Sequence, residues 1–236
     1  MGIGNYTEDD IKHASRAFTG WTFEQPIPLY PYGHFKSQFI FDQDDHDDGE
    51  KEFLGNKGNF NGEDIIEIIV KTDACAKFIS RHLYNFFVAD EPQIPAWSIE
   101  PPKDQEAMDI LVKTFLDSDA DMKEVMRTMF KSEFFKNSMF KRVKCPAEFI
   151  ASTLKLTSEI GPKDSRLSGL HGLSTVMGQT LLDPPTVEGW HTGKEWIDGG
   201  SLTERINYAV DLISDMKNVG SKSLVDSLIT ADVELS

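Results

Sequence analysis

Apolar residues recur at the spacing of an amphipathic helix along most of this chain, and this pattern constrains the fold more than any other feature. Thr7 and Asp10 form a capping pair before the first such segment. Proline- and glycine-rich stretches at 91–102 and 183–200 separate later segments. The sequence therefore predicts a mainly α, multi-helical domain. Predicted helices include 73–88, 104–117, 121–131, 146–159 and 167–182, and a further helix opens at a capping box formed by Ser201 and Glu204.

The only β-structure that the sequence predicts surrounds an acidic stretch. Residues 35–41 alternate mostly aromatic with more polar side chains, which is typical of a strand, and residues 51–54 could return as its partner. We therefore predict one small β-hairpin at about residues 35–54. The segment 42–52 carries seven carboxylates and one lysine, a net charge of −6.

The overall charge excludes several classes of function. With a formal charge of −15, the chain lacks the clustered lysine and arginine that nucleic acids and anionic membrane surfaces require. No run of about 18 apolar residues occurs, so we expect no transmembrane segment. The first ten residues lack the basic and apolar regions of a signal peptide. A length of 236 residues allows one large domain or two small ones, and we predict a single domain.

The acidic stretch partly matches a calcium-binding loop. Asp44, Asp48 and Gly49 correspond to the first, fifth and sixth positions of an EF-hand. The match ends there, because His46 is a poor calcium ligand and Gly55 stands where a bidentate glutamate is needed. The stretch is therefore not an EF-hand.

Three interpretations of the acidic stretch stay open: a solvated turn, a metal site and a catalytic site. The candidate ligands of a divalent metal ion are Asp44, His46, Asp47 and Asp48. A catalytic site would use His46 and Asp47 as an oriented base. Lys51 or Arg81 would then supply positive charge, and we expect Arg81 to lie close to the acidic stretch.

A second unusual loop contains two tryptophans. Trp190 and Trp196 stand in a segment where Gly189 and Gly193 permit tight turns. Aromatic side chains in loops are typical of sugar-binding surfaces and protein interfaces. The alternative is that the indoles fold back into the core, and at least one is expected to be half-buried or more.

Common catalytic motifs are absent from the sequence. It contains no Gly-x-Ser-x-Gly, no phosphate-binding P-loop, no Gly-x-Gly-x-x-Gly and no His-Glu-x-x-His. These absences argue against the corresponding hydrolases, kinases, dehydrogenases and zinc proteases. The residues by themselves do not name a reaction.

Several short motifs, in one order from residue 6 to about residue 210, resemble the bacterial family called domain of unknown function 1800. The matching blocks are Tyr6–Glu8, Arg16–Trp21, His46–Gly55, Ala76–Phe86, Ser132–Phe135, Lys144–Phe149, Met177–Gln179 and Pro184–Trp196, followed by Arg205 and Asn207. Each block is weak alone, but the ordered set is specific.

The resemblance implies a mostly helical, commonly exported bacterial protein, often encoded beside a second uncharacterised exported family. It implies no catalytic residues, because no activity is established for the family. It also implies that this chain is the carboxy-terminal part of a larger domain, and a helix cap six residues after Met1 agrees with that.

We therefore expect an extracytoplasmic binding or assembly module with a candidate metal site at the acidic stretch. Its partner would be another exported protein or a polysaccharide. A metal-assisted hydrolase that uses His46 and Asp47 is the alternative.

Overall fold

A computed structural model describes residues 1–24, 37–157, 167–214 and 219–230 of the chain. The helices in these ranges are α1 (Glu8–Ala17), α2 (Gly62–Val70), α3 (Asp73–Phe87), α4 (Gln105–Asp117), α5 (Met122–Lys131), α6 (Glu133–Lys136), α7 (Pro146–Thr157), α8 (Leu167–Val176), α9 (Gly199–Ser214) and α10 (Val219–Thr230), with 3₁₀ turns at Ile94–Ser98 and Gly193–Ile197. The predicted mainly α class is confirmed. None of the helices described is both long and apolar enough to cross a membrane.

Four short strands form two small antiparallel sheets within the described ranges. Strand β1 (Trp21–Glu24) pairs with β2 (Gln38–Phe41), and β3 (Lys51–Phe53) pairs with β4 (Asn56–Gly58). A small hairpin was therefore correctly predicted, but its strand pairing was not, because each predicted strand has a different partner. The predicted residues Phe35 and Lys36 lie outside the described residues.

The chain divides into two compact units. The first unit comprises Met1–Leu83 and Trp97–Lys136, and the second comprises Tyr84–Ala96 and Asn137–Ser236. The division falls within α3. The single domain predicted from the sequence stays a prediction.

The first unit begins with a helix whose start is encoded locally. Thr7 accepts a hydrogen bond from the Asp10 amide at 3.2 Å, and the Asp10 carboxylate accepts one from the Thr7 amide at 2.7 Å. This is the predicted capping box. The other oxygen of Asp10 accepts a hydrogen bond from the amide of Leu54 at 2.7 Å, which joins α1 to the end of β3. Ala17, Phe53 and Ile65 are buried together in a small core.

The second unit contains α7 to α10 within its described part. Helix α7 packs against α8 and α10, while α9 contacts α10 and the turn Gly193–Ile197. Gly220 of α10 lies against the end of α7, where a side chain would collide with the carbonyl of Thr157. Helix α9 begins three residues earlier than predicted, because Asp198 rather than Ser201 provides the side-chain oxygen that accepts an amide of the first turn.

Candidate functional site

The acidic loop, defined here as residues 42–50, is held against the end of α1 by an arginine–aspartate pair. Arg16 Nε lies 2.7 Å from Asp47 Oδ2, and Arg16 Nη2 lies 3.2 Å from Asp47 Oδ1. Nη1 of the same guanidinium donates to the carbonyl of Glu50 at 3.3 Å. A bidentate guanidinium fixes the orientation of a carboxylate as well as neutralising it. Arg16 therefore anchors this loop.

Thr19 makes the second connection between α1 and the acidic loop. Its hydroxyl accepts a hydrogen bond from the Asp47 amide at 2.8 Å and donates one to the Arg16 carbonyl at 2.6 Å. Its carbonyl oxygen lies 2.8 Å from Nδ1 of His46. Because a carbonyl oxygen can only accept, Nδ1 of His46 carries a proton. In the neutral ring, the lone pair is then on Nε2.

Lys51 stabilises the loop from inside the protein. Its side chain is 1% exposed, and its ammonium group donates to the carbonyls of Asp47 and, at 3.0 Å, Gly49. Gly49 leaves no space for a side chain, since a Cβ atom would lie 2.7 Å from Nη2 of Arg16. The positive charges expected near the acidic loop are thus present as Lys51 and Arg16.

The Arg16 pair also sets the protonation of Asp47. The hydrogen bond from the Arg16 guanidinium, with a second from the Gly49 amide, holds the pKa of the Asp47 carboxyl well below its usual range. Asp47 is therefore ionised at neutral pH. A carboxylate with so low a proton affinity is a weak general base.

The arginine that pairs with Asp47 is Arg16 and not Arg81, contrary to expectation. It is 5% exposed and donates to the carbonyls of Glu100 at 2.9 Å and Pro101 at 3.2 Å. Its guanidinium also lies 4.8 Å from the ring centroid of Trp97. Arg81 thus binds the segment before α4.

The candidate metal ligands have separate roles in the loop. Asp44 is exposed, while Asp48 accepts hydrogen bonds from the Gln43 side chain at 3.2 and 3.3 Å. The oxygens of Asp47 already accept from Arg16. In the parts of the chain that are described, no group of three or more His, Cys, Asp or Glu side chains is arranged to hold a metal ion. A divalent ion at this loop stays a prediction.

The second candidate site is a cavity of about 510 Å³ in the second unit, which we call the tryptophan cleft. Trp196 forms part of its wall and is 6% exposed, and the neighbouring Met177 is 0% exposed. Trp190 also lines the cleft and is half-buried, which confirms that at least one indole is buried. Other lining residues include Pro185, His191, Glu195, Asp198, Ser201 and Glu204.

Two contacts position the loop that carries the tryptophans. Gln93 Nε2 donates to the Thr192 carbonyl at 2.8 Å, and Gln93 Oε1 accepts from the Thr192 amide at 3.3 Å. Gly189 and Gly193 have φ angles of 96° and 64°, which are unfavourable for other residues, so the predicted tight turns are confirmed. A Cβ atom at Gly193 would also lie 3.3 Å from the side chain of Asp90.

The polar groups of the tryptophan cleft differ in how they are bonded. Nδ1 of His191 lies 2.7 Å from the carboxylate of Glu195, and both side chains are about half exposed. Asp198 accepts hydrogen bonds from the amide and hydroxyl of Ser201 at 3.1 and 2.7 Å, and these bonds lower the pKa of its carboxyl. Nε1 of Trp190 is buried without a hydrogen-bond partner in the described structure. A buried donor of this kind is rare in native proteins.

A comparison with protein families matches residues 1–234 to the family described as "Protein of unknown function (DUF1800)". The chain belongs to this family. No curated protein and no solved structure matches the chain. The DUF1800 match confirms the resemblance based on the short sequence motifs and covers almost the entire chain.

Two of the motifs that resemble DUF1800 are in direct contact in the structure. Arg16 and Thr19 belong to the motif Arg16–Trp21, and both bind Asp47 of the motif His46–Gly55. Sequence reasoning missed Arg16 and Thr19 as partners of the acidic loop. The signal that could have identified them was the occurrence of both motifs in one family pattern, since spacing along the chain does not indicate that they meet.

Proposed function

We propose that this chain is a binding module of an exported bacterial protein and that it binds a saccharide in the tryptophan cleft. The observation that carries the proposal is the combination of shape and lining. The cavity of about 510 Å³ falls in the usual range for small-ligand sites, roughly 300–1,000 Å³. An interface for a folded protein would be broader and flatter, with about 800 Å² buried on each partner.

The lining of the cleft suits a sugar ring. Trp190 offers aromatic surface for the apolar C–H face of a pyranose, and the buried Trp196 forms the wall beneath the cleft. Glu195, Glu204 and Ser201 offer oxygens that accept hydrogen bonds from hydroxyl groups. A few polar groups that converge on an apolar cavity are typical of small-molecule sites. The turns at the loop glycines hold Trp190 on this lining.

A glycan array of soluble oligosaccharides tests the proposal with three forms of the protein. The unsubstituted chain should bind at least one saccharide class. Trp190→Ala should weaken that binding at least about fivefold, because truncating a central aromatic contact typically costs more than about 1 kcal/mol. The control is Val187→Ala, since Val187 is fully exposed in the same loop and does not line the cleft.

Two results would contradict the saccharide proposal. One is an array on which the unsubstituted, folded protein binds nothing. The other is binding that Trp190→Ala leaves as strong as Val187→Ala does. Circular dichroism of each variant shows whether its helices are intact.

A metal-assisted hydrolase at the acidic loop is a second candidate, supported by the orientation of His46. A donor hydrogen bond from Nδ1 to a backbone carbonyl is the usual way to fix a metal-binding or base histidine, with Nε2 directed to the ligand. The pairing of Asp47 with Arg16 weighs against this candidate. Elemental analysis of the purified protein and of His46→Ala tests for a metal ion. A stoichiometric metal that His46→Ala loses would support the candidate, and a metal content near zero in both would contradict it.

A further inference from the structure

The lining of the tryptophan cleft has a marked charge asymmetry. Three of its residues carry carboxylates: Glu195, Asp198 and Glu204. The lining that the structure describes includes no lysine and no arginine. Negative charge around a concave site raises the local concentration of cations. The cleft is therefore better suited to a cationic ligand than to a neutral or anionic one.

The three carboxylates are not equally available to a ligand. Asp198 is committed to Ser201 and the start of α9. The carboxylate of Glu195 already lies 2.7 Å from Nδ1 of His191, and its side chain is about half exposed to solvent. The side chain of Glu204 is half-buried and has no hydrogen bond or ion pair within the described ranges. Glu204 is thus the carboxylate with the most capacity to accept hydrogen bonds from a ligand.

The aromatic surface favours the same ligand charge. A cation near the face of an indole ring is attracted by the negative charge of the ring's π system. Trp190 is on the lining together with Glu204, and its buried Nε1 makes no hydrogen bond with the described chain. An aromatic wall beside a carboxylate therefore offers two favourable interactions to an ammonium group.

We propose that the ligand of the tryptophan cleft is an amino sugar with a free, protonated amine, presented as a unit of a cationic oligosaccharide. The Glu204 carboxylate accepts hydrogen bonds from the ammonium group, and Trp190 packs against the ring that carries it. This inference rests on the proposed saccharide-binding function. A pyranose uses the aromatic wall and the carboxylates together, whereas a lysine side chain has no ring to place against Trp190.

Three β-1,4-linked trimers test the charge of the ligand by isothermal titration calorimetry. They are trimers of glucosamine, of N-acetylglucosamine and of glucose, which share a backbone and differ in the amine. The pH is kept above the ordinary pKa of glutamate, about 4.3, and below that of the glucosamine amine. The glucosamine trimer should bind about fivefold tighter than the neutral trimers, because a partly exposed ion pair contributes up to about 1 kcal/mol.

Isosteric variants test the assignment to Glu204. Glu204→Gln should reduce the preference for the glucosamine trimer to about twofold or less while binding of the neutral trimers stays the same. The matched control is Glu188→Gln, since Glu188 is exposed in the tryptophan loop and does not line the cleft. Added salt should weaken the binding of the glucosamine trimer but not of the neutral trimers, because screening by salt acts on the charged pair.

The outcomes separate this inference from the function on which it rests. Equal affinity for the three trimers would overturn the amino-sugar inference and leave saccharide binding supported. A preference for glucosamine that Glu204→Gln does not change would overturn the assignment to the cleft. Tighter binding of a lysine-containing peptide than of the glucosamine trimer would overturn the inference that the ligand is an amino sugar. Absence of binding to any trimer, together with a glycan array that shows no binding, would contradict both proposals.

Discussion

Replacing Trp196 by alanine measures how much the wall of the tryptophan cleft contributes to stability. Trp196 is 6% exposed, and Met177 on the same lining is 0% exposed. This burial agrees with the prediction that at least one of the two indoles is half-buried or more. The substitution removes the whole indole from a buried position, so the lost burial and the resulting void both destabilise the folded chain.

The expected loss of stability follows from the buried area. A tryptophan side chain buries up to about 250 Å². At about 25 cal/mol per Å², this area corresponds to roughly 6 kcal/mol. Because the unfolded chain already buries part of that surface, the value falls by about 10–40%, to roughly 4–5 kcal/mol. Truncations of this kind typically cost about 3–5 kcal/mol. We expect Trp196→Ala to lose about that much.

The assay is urea unfolding followed by far-ultraviolet circular dichroism, which does not depend on tryptophan fluorescence. With a denaturant slope of about 1–3 kcal/mol per M, the midpoint of Trp196→Ala should fall by at least about 1 M. Lys194→Ala is the control, because Lys194 is exposed in the same turn and its loss should change stability by no more than about 0.5 kcal/mol. Equal midpoints for the two variants would refute the conclusion that the buried indole stabilises this unit.

Two further predictions concern the first unit. Because Arg16 lowers the pKa of Asp47, this pair stabilises the folded state above the unfolded pKa of about 3.9 and loses its effect as the pH falls further. Asp47→Asn should therefore lower the urea midpoint at pH 7, and its difference from the unsubstituted chain should shrink below about pH 3.9; a difference that is constant with pH would contradict the role of this carboxylate. A Cβ atom at Gly62 would lie 2.5 Å from the ring of Trp21. Gly62→Ala should therefore lower the midpoint of thermal unfolding. The control is Gly169→Ala, where a Cβ atom meets no other atom within 4 Å, and it should leave the midpoint unchanged or raise it. Equal midpoints for the two variants would show that the Trp21 side chain can move aside without loss of stability.

The helices were predictable because their signals are local. The Thr7 capping box and the apolar periodicity of α4 and α5 lie within a few residues of the structure they specify. The start of α9 was nevertheless predicted at the wrong residue, since Asp198 and Ser201 are both good capping residues. Choosing between them depends on the path of the preceding turn.

The strand pairing was not predictable from alternation alone. Residues 38–41 have a strand pattern, but their partner is Trp21–Glu24 and not the segment that follows the acidic loop. Lys51–Phe53 turns back on Asn56–Gly58 instead. A pattern of period two shows that a segment is extended, but it does not identify the strand that binds it.

The sequence alone determined the mainly α class, the family and the need for positive charge beside a loop with a net charge of −6. Only the tertiary structure decided that Arg16 rather than Arg81 meets Asp47, and that Trp196 is buried while Trp190 lines the cleft half-buried. Charge balance requires a cation without specifying its position in the chain, because electrostatic attraction depends on distance in space. Arg16 and Asp47 are 31 residues apart, and their contact exists only once α1 and the acidic loop have packed together.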